Sequence, residues 1–388
     1  MTDACAIRLP AARTRRAFLV CLTAAALLGM LYMIWGFTML QGSTVRSGMI
    51  AVKVEEEFAS EERLQRLVLA AAQGNSAMLD SLVAAGADVN RPGDFYRLTP
   101  LMWAVMHGSQ EGVTKLLALG AEPNTRVPRV DEAFIDQRFL KVQALQPKVT
   151  RGALASRLRA FSGESALSLA LEARRLDLME LLLQNGADPN IQGRIDPVLF
   201  DAVESTHGEV SPALRLLIKY GANPNLTAQP DGSGASAVDW FTFSGNMASA
   251  IYLIEQGADP TRTVRRAMLG VSLPREKLTE DNSVPWNQAA AIVQRFLPKS
   301  PKPDSRVLRL KQLMEQRGVR FPVYDPNRPT TPEQERRMTT LEYLQHTNLP
   351  DHDIERTIAY HARNGSLRDL GTLAEDYERY RQAKPAGN

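Results

Sequence analysis

A phrase that returns five times constrains the fold of this chain more than any other feature. Each copy has Leu, a second apolar residue, two variable residues and Gly-Ala, and ends in a polar turn that closes on Asn or Thr. The copies begin at Leu82, Leu116, Leu182, Leu217 and Leu253. Their glycines, at 86, 120, 186, 221 and 257, are 34, 66, 35 and 36 residues apart. A period near 33 with one interval of about two periods is typical of a helical repeat array.

The second copy predicts how one unit folds. Thr99 is a suitable N-cap, and Pro100 follows at the first helical position, where no backbone donor is lost. Apolar residues at helical spacing then form two helices on either side of Gly108. Gly120 ends the second helix, and we expect it in the left-handed conformation that glycine adopts without strain. Each unit is therefore predicted to be a helix–turn–helix pair closed by glycine.

This pattern resembles the ankyrin repeat. The residues that carry the resemblance are Thr99-Pro100-Leu101, Gly108 and Leu116-Leu117-x-x-Gly120-Ala121. Residues 94–98 and 231–236 stand where that family has β-turn fingers between units. The resemblance covers about residues 62–262 and has two departures. Arg174 replaces the inter-helix glycine of the third unit, and the fourth unit has extra residues around 204–207.

The resemblance implies an all-α fold, an ankyrin-repeat solenoid of helix pairs with short β-turn fingers. We predict repeats over 61–262, with an insert at 126–162 where a finger belongs. The insert is about 32 residues longer than a finger; it carries eight basic and three acidic residues, a local charge of +5, and is expected to be partly helical. Residues 263–388 read as degenerate helical pairs that cap the array, or alternatively as an independent helical domain.

The N-terminal region predicts a membrane anchor. Residues 17–40 contain no charge, and a helix of this length spans roughly 36 Å, enough to cross an apolar bilayer core of about 30 Å. A buried core helix and a cleaved signal peptide are the alternatives. Arg13, Arg15 and Arg16 favour a cytoplasmic head at 1–16, so that a tether at 41–60 and the rest of the chain lie outside the cytoplasm. The segment resembles a bacterial inner-membrane signal anchor, and "outside" would then be the periplasm.

Charge and cysteine content exclude some classes of function. The chain carries a net charge of +3, and its first 46 residues, with five Arg and one Asp, contribute +4. The basic balance thus comes from the N-terminus and does not argue for a nucleic-acid partner. Both cysteines, Cys5 and Cys21, precede the repeats, so no disulfide within the repeats is expected.

The sequence offers little catalytic chemistry. It has no glycine-rich phosphate loop, no metal-binding Cys/His spacing and no nucleophile elbow, so we expect no enzyme, no cofactor and no metal. His352-Asp353 resembles a fragment of a metal phosphohydrolase motif, but a single dipeptide is weak evidence and a solvated helix start is the preferred interpretation. An enzyme with a site around His352, His361 and Glu375 is kept as an alternative.

The resemblance to ankyrin repeats implies a protein-binding surface at the finger tips and at the exposed end of each first helix. Carried over by position, and extended to the basic insert, the predicted partner-binding residues are Phe95, Tyr96, Leu98, Met106, His107, Glu172, Phe243, Ser244, Arg138 and Lys141. Trp103 and Trp240 hold equivalent places in two first helices and are expected to pack between repeats. We predict a membrane-anchored interaction module or scaffold. The alternative is a periplasmic immunity protein or inhibitor of a secreted toxin.

Overall fold

The described part of the chain is mostly helical. The computed structural model describes residues 58, 60–145, 149–203, 209–228, 234–268, 277–297, 304–327, 339–364 and 370–383. The predicted head (1–16), transmembrane helix (17–40) and nearly all of the tether (41–60) lie outside these residues. Among the helices that are described, none combines the length and the apolar character that crossing a membrane requires.

Seventeen helices and two strands are found in the described ranges. In chain order they are α1 (Glu62–Ala72), α2 (Ser76–Ala84), α3 (Pro100–Met106), α4 (Gln110–Ala118), α5 (Glu132–Leu145), α6 (Arg151–Arg159), α7 (Ala166–Glu172), α8 (Leu176–Gln184), α9 (Val198–Asp201), α10 (Pro212–Lys219), α11 (Ala237–Phe243), α12 (Met247–Glu255), β1 (Val264–Ala267), β2 (Ser283–Trp286), α13 (Gln288–Phe296), α14 (Ser305–Gln316), α15 (Thr340–His346), α16 (Asp351–Asn364) and α17 (Leu370–Ala383).

Twelve of these helices form two stacked layers. The first helices of successive pairs, α1, α3, α7, α9, α11 and α13, each contact the next one along the series. Their partners α2, α4, α8, α10, α12 and α14 form the second layer, and leucines between the layers, Leu116 among them, are fully buried. The pair α13–α14 packs on α11–α12 as a sixth unit. The predicted array of helix pairs is thus present.

Local sequence signals begin and end these helices as predicted. The Thr99 hydroxyl accepts the Met102 N–H at the start of α3, and Ser165 and Ser236 form capping boxes at the starts of α7 and α11. Gly120 ends α4 with φ +90°, in the left-handed region. Arg174 takes this region too, with φ +54°, at the turn where other units have glycine.

A ladder of asparagines joins successive units. The last residue of each closing phrase donates its side-chain amide to a carbonyl, or accepts a backbone N–H, in the closing turn of the next unit. Asn90 bonds Gly120 O and Glu122 N at 2.9 and 2.8 Å, and Asn225 bonds Gly257 O and Asp259 N at 3.2 and 2.7 Å. The fifth phrase ends in Thr261, whose hydroxyl turns back to Asp259 instead.

The insert lies within a finger, and the base of that finger still pairs, so the units on either side stay adjacent. Arg126 forms an isolated antiparallel bridge with Ser165, in the same way that Thr227 pairs with Ser236 at the base of an ordinary finger. Between Arg126 and Ser165 the chain forms α5 and α6, which pack together, with Ile135 and Leu154 fully buried. The insert is therefore a helical hairpin built on a finger base.

The mostly helical fold of the described residues contains one strand pair, between the fifth and sixth helix pairs. Here β1 and β2 form a two-stranded antiparallel sheet, with Val264 opposite Trp286 and Ala267 opposite Ser283. The sheet stands where shorter fingers have a single bridge, so it is an elongated finger. The longer connection allows several residue pairs to form, and Val264 and Val284 are buried on it. Trp286 ends β2, and Asn287 caps α13.

The last three helices contribute to a separate apolar cluster around this finger. Its buried members are Met268, Val284, Leu341, Leu344, Leu349, Ile354, Leu373 and Tyr377. The segment that leads to them from α14 is held by α13. The Gln294 side chain makes two hydrogen bonds to the Val323 backbone at 2.8 and 3.2 Å, and Arg295 forms a two-point ion pair with the buried Asp325 at 2.5 and 2.6 Å.

Candidate protein-binding surface

The predicted aromatic anchors of the first finger are buried. Phe95, Tyr96 and Leu98 are at most 7 % exposed. The Tyr96 ring meets Phe161 edge-on, with 5.2 Å between ring centroids, and Arg157 lies over the Phe95 ring at 5.5 Å. The premise that these side chains are exposed is therefore wrong, because the end of the insert folds back over the finger. No such contact is visible in the sequence, where 61 residues separate Tyr96 from Arg157.

Most of the basic charge of the insert is used within the protein. The Arg138 guanidinium, half-buried, donates to the Asp94 carbonyl of the finger. Arg151 bonds Glu132 and Asp136 at 2.7 and 2.6 Å, which joins α6 to α5. The hydrogen bond from Arg151 holds the pKa of Glu132 below its usual value. The side chain of Lys141 lies outside the described residues. The Arg138 guanidinium is therefore already bonded within the protein, so the structure does not support a basic surface at this residue that is open to an acidic partner.

At the end of α3, an aromatic stack replaces an open surface. Met106 is half-buried and His107 is exposed. The His107 ring stacks on Trp103 with 4.8 Å between centroids, and its Nδ1 lies 2.9 Å from the Trp103 carbonyl. Trp103 is only 1 % exposed, and Phe58, from the segment before α1, meets its ring edge-on at 5.7 Å. Trp103 thus packs as predicted, and His107 is left at the surface beside it.

The ends of α7 and α9 concentrate negative charge. Glu172, half-buried, ends α7, and Asp201 ends α9, which has only four residues. Asp201 keeps an exposed side, but packing around its carboxylate, followed by the charges of Glu164 and Asp196, raises its pKa to about 7. Arg194 acts in the opposite direction without cancelling the effect. This group has no signal in the sequence, because its members come from two helices and from connections between helices.

The end of α11 carries a predicted partner-binding residue that is well exposed. Phe243 is 69 % exposed, and Ser244 is half-buried, with its hydroxyl donating to the Phe241 carbonyl at 3.0 Å. One turn earlier, Trp240 is half-buried and donates its indole N–H to the Phe200 carbonyl at 3.1 Å. Trp240 is predicted to pack between repeats, and its ring does contact the Phe200 ring of the preceding unit, with 6.3 Å between centroids. Part of its surface nevertheless stays open beside Phe243.

The residues of the alternative enzyme site do not converge. His361 is fully buried in α16, whereas the side chains of His352 and Glu375 are 71 % and 71 % exposed. Asp353 is buried and pairs with Arg356 at 2.7 Å. Within the described ranges, no three His, Cys, Asp or Glu side chains come together in a way that could hold a metal ion. The geometry gives no support to chemistry at these positions.

Two family models match the chain. The model described as "Ankyrin repeats (3 copies)" matches residues 49–127, and the one described as "Ankyrin repeat" matches residues 162–194. No curated protein matches the chain. The matches cover the first three helix pairs. They leave out most of the insert and the helix pairs that follow Arg194, although those later pairs stack on one another in the same way. Ankyrin repeats, modules that mediate protein–protein interactions, are therefore present in the chain over residues 49–127 and 162–194.

Proposed function

We propose that this chain is a membrane-anchored ankyrin-repeat protein that binds a partner protein, and that its array faces the periplasm of a bacterium-type cell. The observation that carries the binding function is the match to ankyrin repeats on a continuous stack of helix pairs. A stack of this kind presents the ends of several first helices side by side, as an extended surface. Such surfaces are how repeat proteins bind partners.

The anchor and its orientation rest on the N-terminal sequence. Residues 17–40 are uncharged and long enough to cross a bilayer, and Arg13, Arg15 and Arg16 precede them. Tether residues next to the array support a fixed attachment. Phe58 is buried against Trp103, and Ser60 bonds the Asp94 carboxylate of the first finger through both its N–H and its hydroxyl, at 2.9 and 3.0 Å.

Two experiments test these parts separately. Crosslinking followed by affinity capture with the full-length chain should recover a specific protein partner, and failure to recover any partner would contradict the binding function. A reporter that fluoresces only in the cytoplasm, fused after Asn388, should stay dark in a bacterial host. Bright fluorescence would overturn the orientation while leaving the binding function intact.

A further inference from the structure

Trp103 and Trp240 occupy the same position in two units, but their indole rings differ in burial. Each stands four residues after the N-cap of its first helix, Thr99 for α3 and Ser236 for α11. The Trp103 indole meets the Phe58 ring in a T-shaped arrangement, with 5.7 Å between centroids and an interplanar angle of 79°, and the His107 ring stacks on it at 4.8 Å. Phe58 itself lies outside the described helices, and its carbonyl accepts a hydrogen bond from the Gln65 side chain at 3.0 Å.

Among the described residues, no second ring covers the Trp240 indole in this way. In the described part of the chain it has one ring contact, with Phe200 of the preceding unit, and it remains half-buried. Phe243, 69 % exposed, lies one helical turn further along α11. The array thus contains one covered and one open copy of the same aromatic position, and the covered copy indicates what fits there. A second aromatic ring in a T-shaped arrangement is a favoured geometry for such a pair.

The charge beside the open copy is negative. The Trp240 N–H bonds the carbonyl of Phe200, and Asp201 is the next residue. Packing around the Asp201 carboxylate, followed by the charges of Glu164, Asp196 and Glu172, raises its pKa to about 7, and the charge of Arg194 opposes this only in part. Binding a cation here would relieve this crowding of negative charge, so flanking Lys or Arg residues are favoured on whatever segment occupies the surface.

We propose that the surface formed by Trp240, Phe243 and Asp201 binds an extended segment of the partner protein that carries an aromatic side chain flanked by basic residues. The aromatic ring packs edge-on against Trp240 and beside Phe243, in the way that Phe58 covers Trp103. The basic residues meet the carboxylates at the ends of α7 and α9. This inference rests on the proposed binding function and names the partner's chemistry and the place where it binds.

The test uses the full-length chain and three fluorescein-labelled peptides, GKRFRKG, GKRARKG and GEDFDEG, followed by fluorescence anisotropy. The first peptide should bind saturably, and the other two should bind at least about tenfold more weakly. Raising the salt concentration should lower the affinity for the first peptide, but the protein should still bind it more tightly than the alanine peptide. Equal binding of the first two peptides would reduce the surface to a nonspecific acidic patch and overturn the proposal. The proposal is also overturned if the first peptide shows no saturable binding.

Matched variants locate the site. Phe243→Ser should lower the affinity for the first peptide by about tenfold. Leu140→Ser, which changes a side chain that is 70 % exposed on α5, should leave that affinity unchanged. Asp201→Asn should weaken binding and its salt dependence, and Glu111→Gln, exposed on α4, should not. Unchanged binding in both Phe243→Ser and Asp201→Asn would overturn the assignment.

The partner recovered by affinity capture separates this inference from the function itself. Loss of that partner in Phe243→Ser supports the surface. A partner that both variants still capture leaves the binding function standing and overturns the surface. Self-association that Phe243→Ser abolishes would assign the surface to a second copy of this chain, which also overturns the proposal.

Discussion

The side chain of Asn124 bonds the closing turn that contains Gly186, across an insert that separates the two in sequence. Its amide nitrogen lies 2.9 Å from the Gly186 carbonyl, and its oxygen accepts the Asp188 N–H at 2.7 Å. The same pair of bonds joins Asn90 to Gly120 and Glu122, where no insert intervenes. The second and third units therefore stack as directly as the first and second, and the insert lies to one side.

Asn124→Ala should destabilise the array by about 1 kcal/mol, because two hydrogen bonds between units are lost at a partly solvated site. Asn185→Ala is the control, since its amide bonds only the Leu181 carbonyl of its own helix, and it should cost less than about 0.5 kcal/mol. Chemical denaturation of both variants gives the comparison. Equal costs would mean that the ladder adds nothing at this junction.

Gly112→Ala should destabilise the protein by about 2 kcal/mol or more, since a methyl group at this position in α4 would overlap the Ala71 carbonyl oxygen of α1. Backbone cannot yield as a flexible side chain does. Gly152→Ala is the matched control, because it lies in helix α6 with open space around it, and it should be neutral or stabilising by up to about 1 kcal/mol. Thermal unfolding measures the stability of both variants. An unchanged stability in Gly112→Ala would contradict the close approach of α4 to α1.

Arg174→Gly should stabilise the protein by about 0.5 kcal/mol. The left-handed backbone at this turn, φ +54°, strains a side-chain-bearing residue, although glycine loses part of that gain through its freedom in the unfolded chain. Gly245→Ala tests the reverse change at an equivalent turn, with φ +79° and nothing within 4 Å, and should cost about 1 kcal/mol. Opposite signs in urea midpoints are expected; the same sign for both would contradict the equivalence of the turns.

Leu116→Ala should cost roughly 2–5 kcal/mol, because it opens a cavity at a fully buried position in α4. Glu111→Ala, exposed on the same helix, should cost under about 0.5 kcal/mol. The difference between their free energies of unfolding tests which face of α4 is buried. A similar cost for both would refute the packing between the two layers.

Asp201 should make stability fall as pH rises. Its folded-state pKa of about 7 lies above the ordinary aspartate value of about 3.9, so the folded state binds more protons between these values. The contribution is fully present below about pH 4 and is lost as pH rises through about 7. Asp201→Asn should therefore flatten this decline in a series of unfolding curves, and an unchanged slope would argue against the charge cluster.

Asp304 is the control of opposite sign for this pH series. A hydrogen bond from Arg306 and a backbone N–H at the start of α14 hold its pKa below its usual value. Its contribution is present above the unfolded-state pKa and is lost as pH falls, so Asp304→Asn should reduce stability at neutral pH.

Much of the array could be predicted from sequence because its signals are local. Thr99 and Pro100 begin a helix, and Gly120 ends one, through contacts within a few residues of themselves. The spacing of the closing phrases then fixes where each pair lies. The elongated finger escaped prediction, because the pairing of Val264 with Trp286 depends on residues that are 22 positions apart.

The sequence by itself therefore determined the helix pairs, their caps and their order, since backbone hydrogen bonding and hydrophobic periodicity act over short range. Only the tertiary structure decided which side chains remain open. Phe95 and Tyr96 look like exposed finger residues until Arg157 and Phe161, some 60 positions later, fold over them. Trp103 and Trp240 hold equivalent positions in sequence. The Phe58 and His107 rings cover Trp103, whereas Trp240 stays half-buried, because burial depends on which side chains pack around each ring.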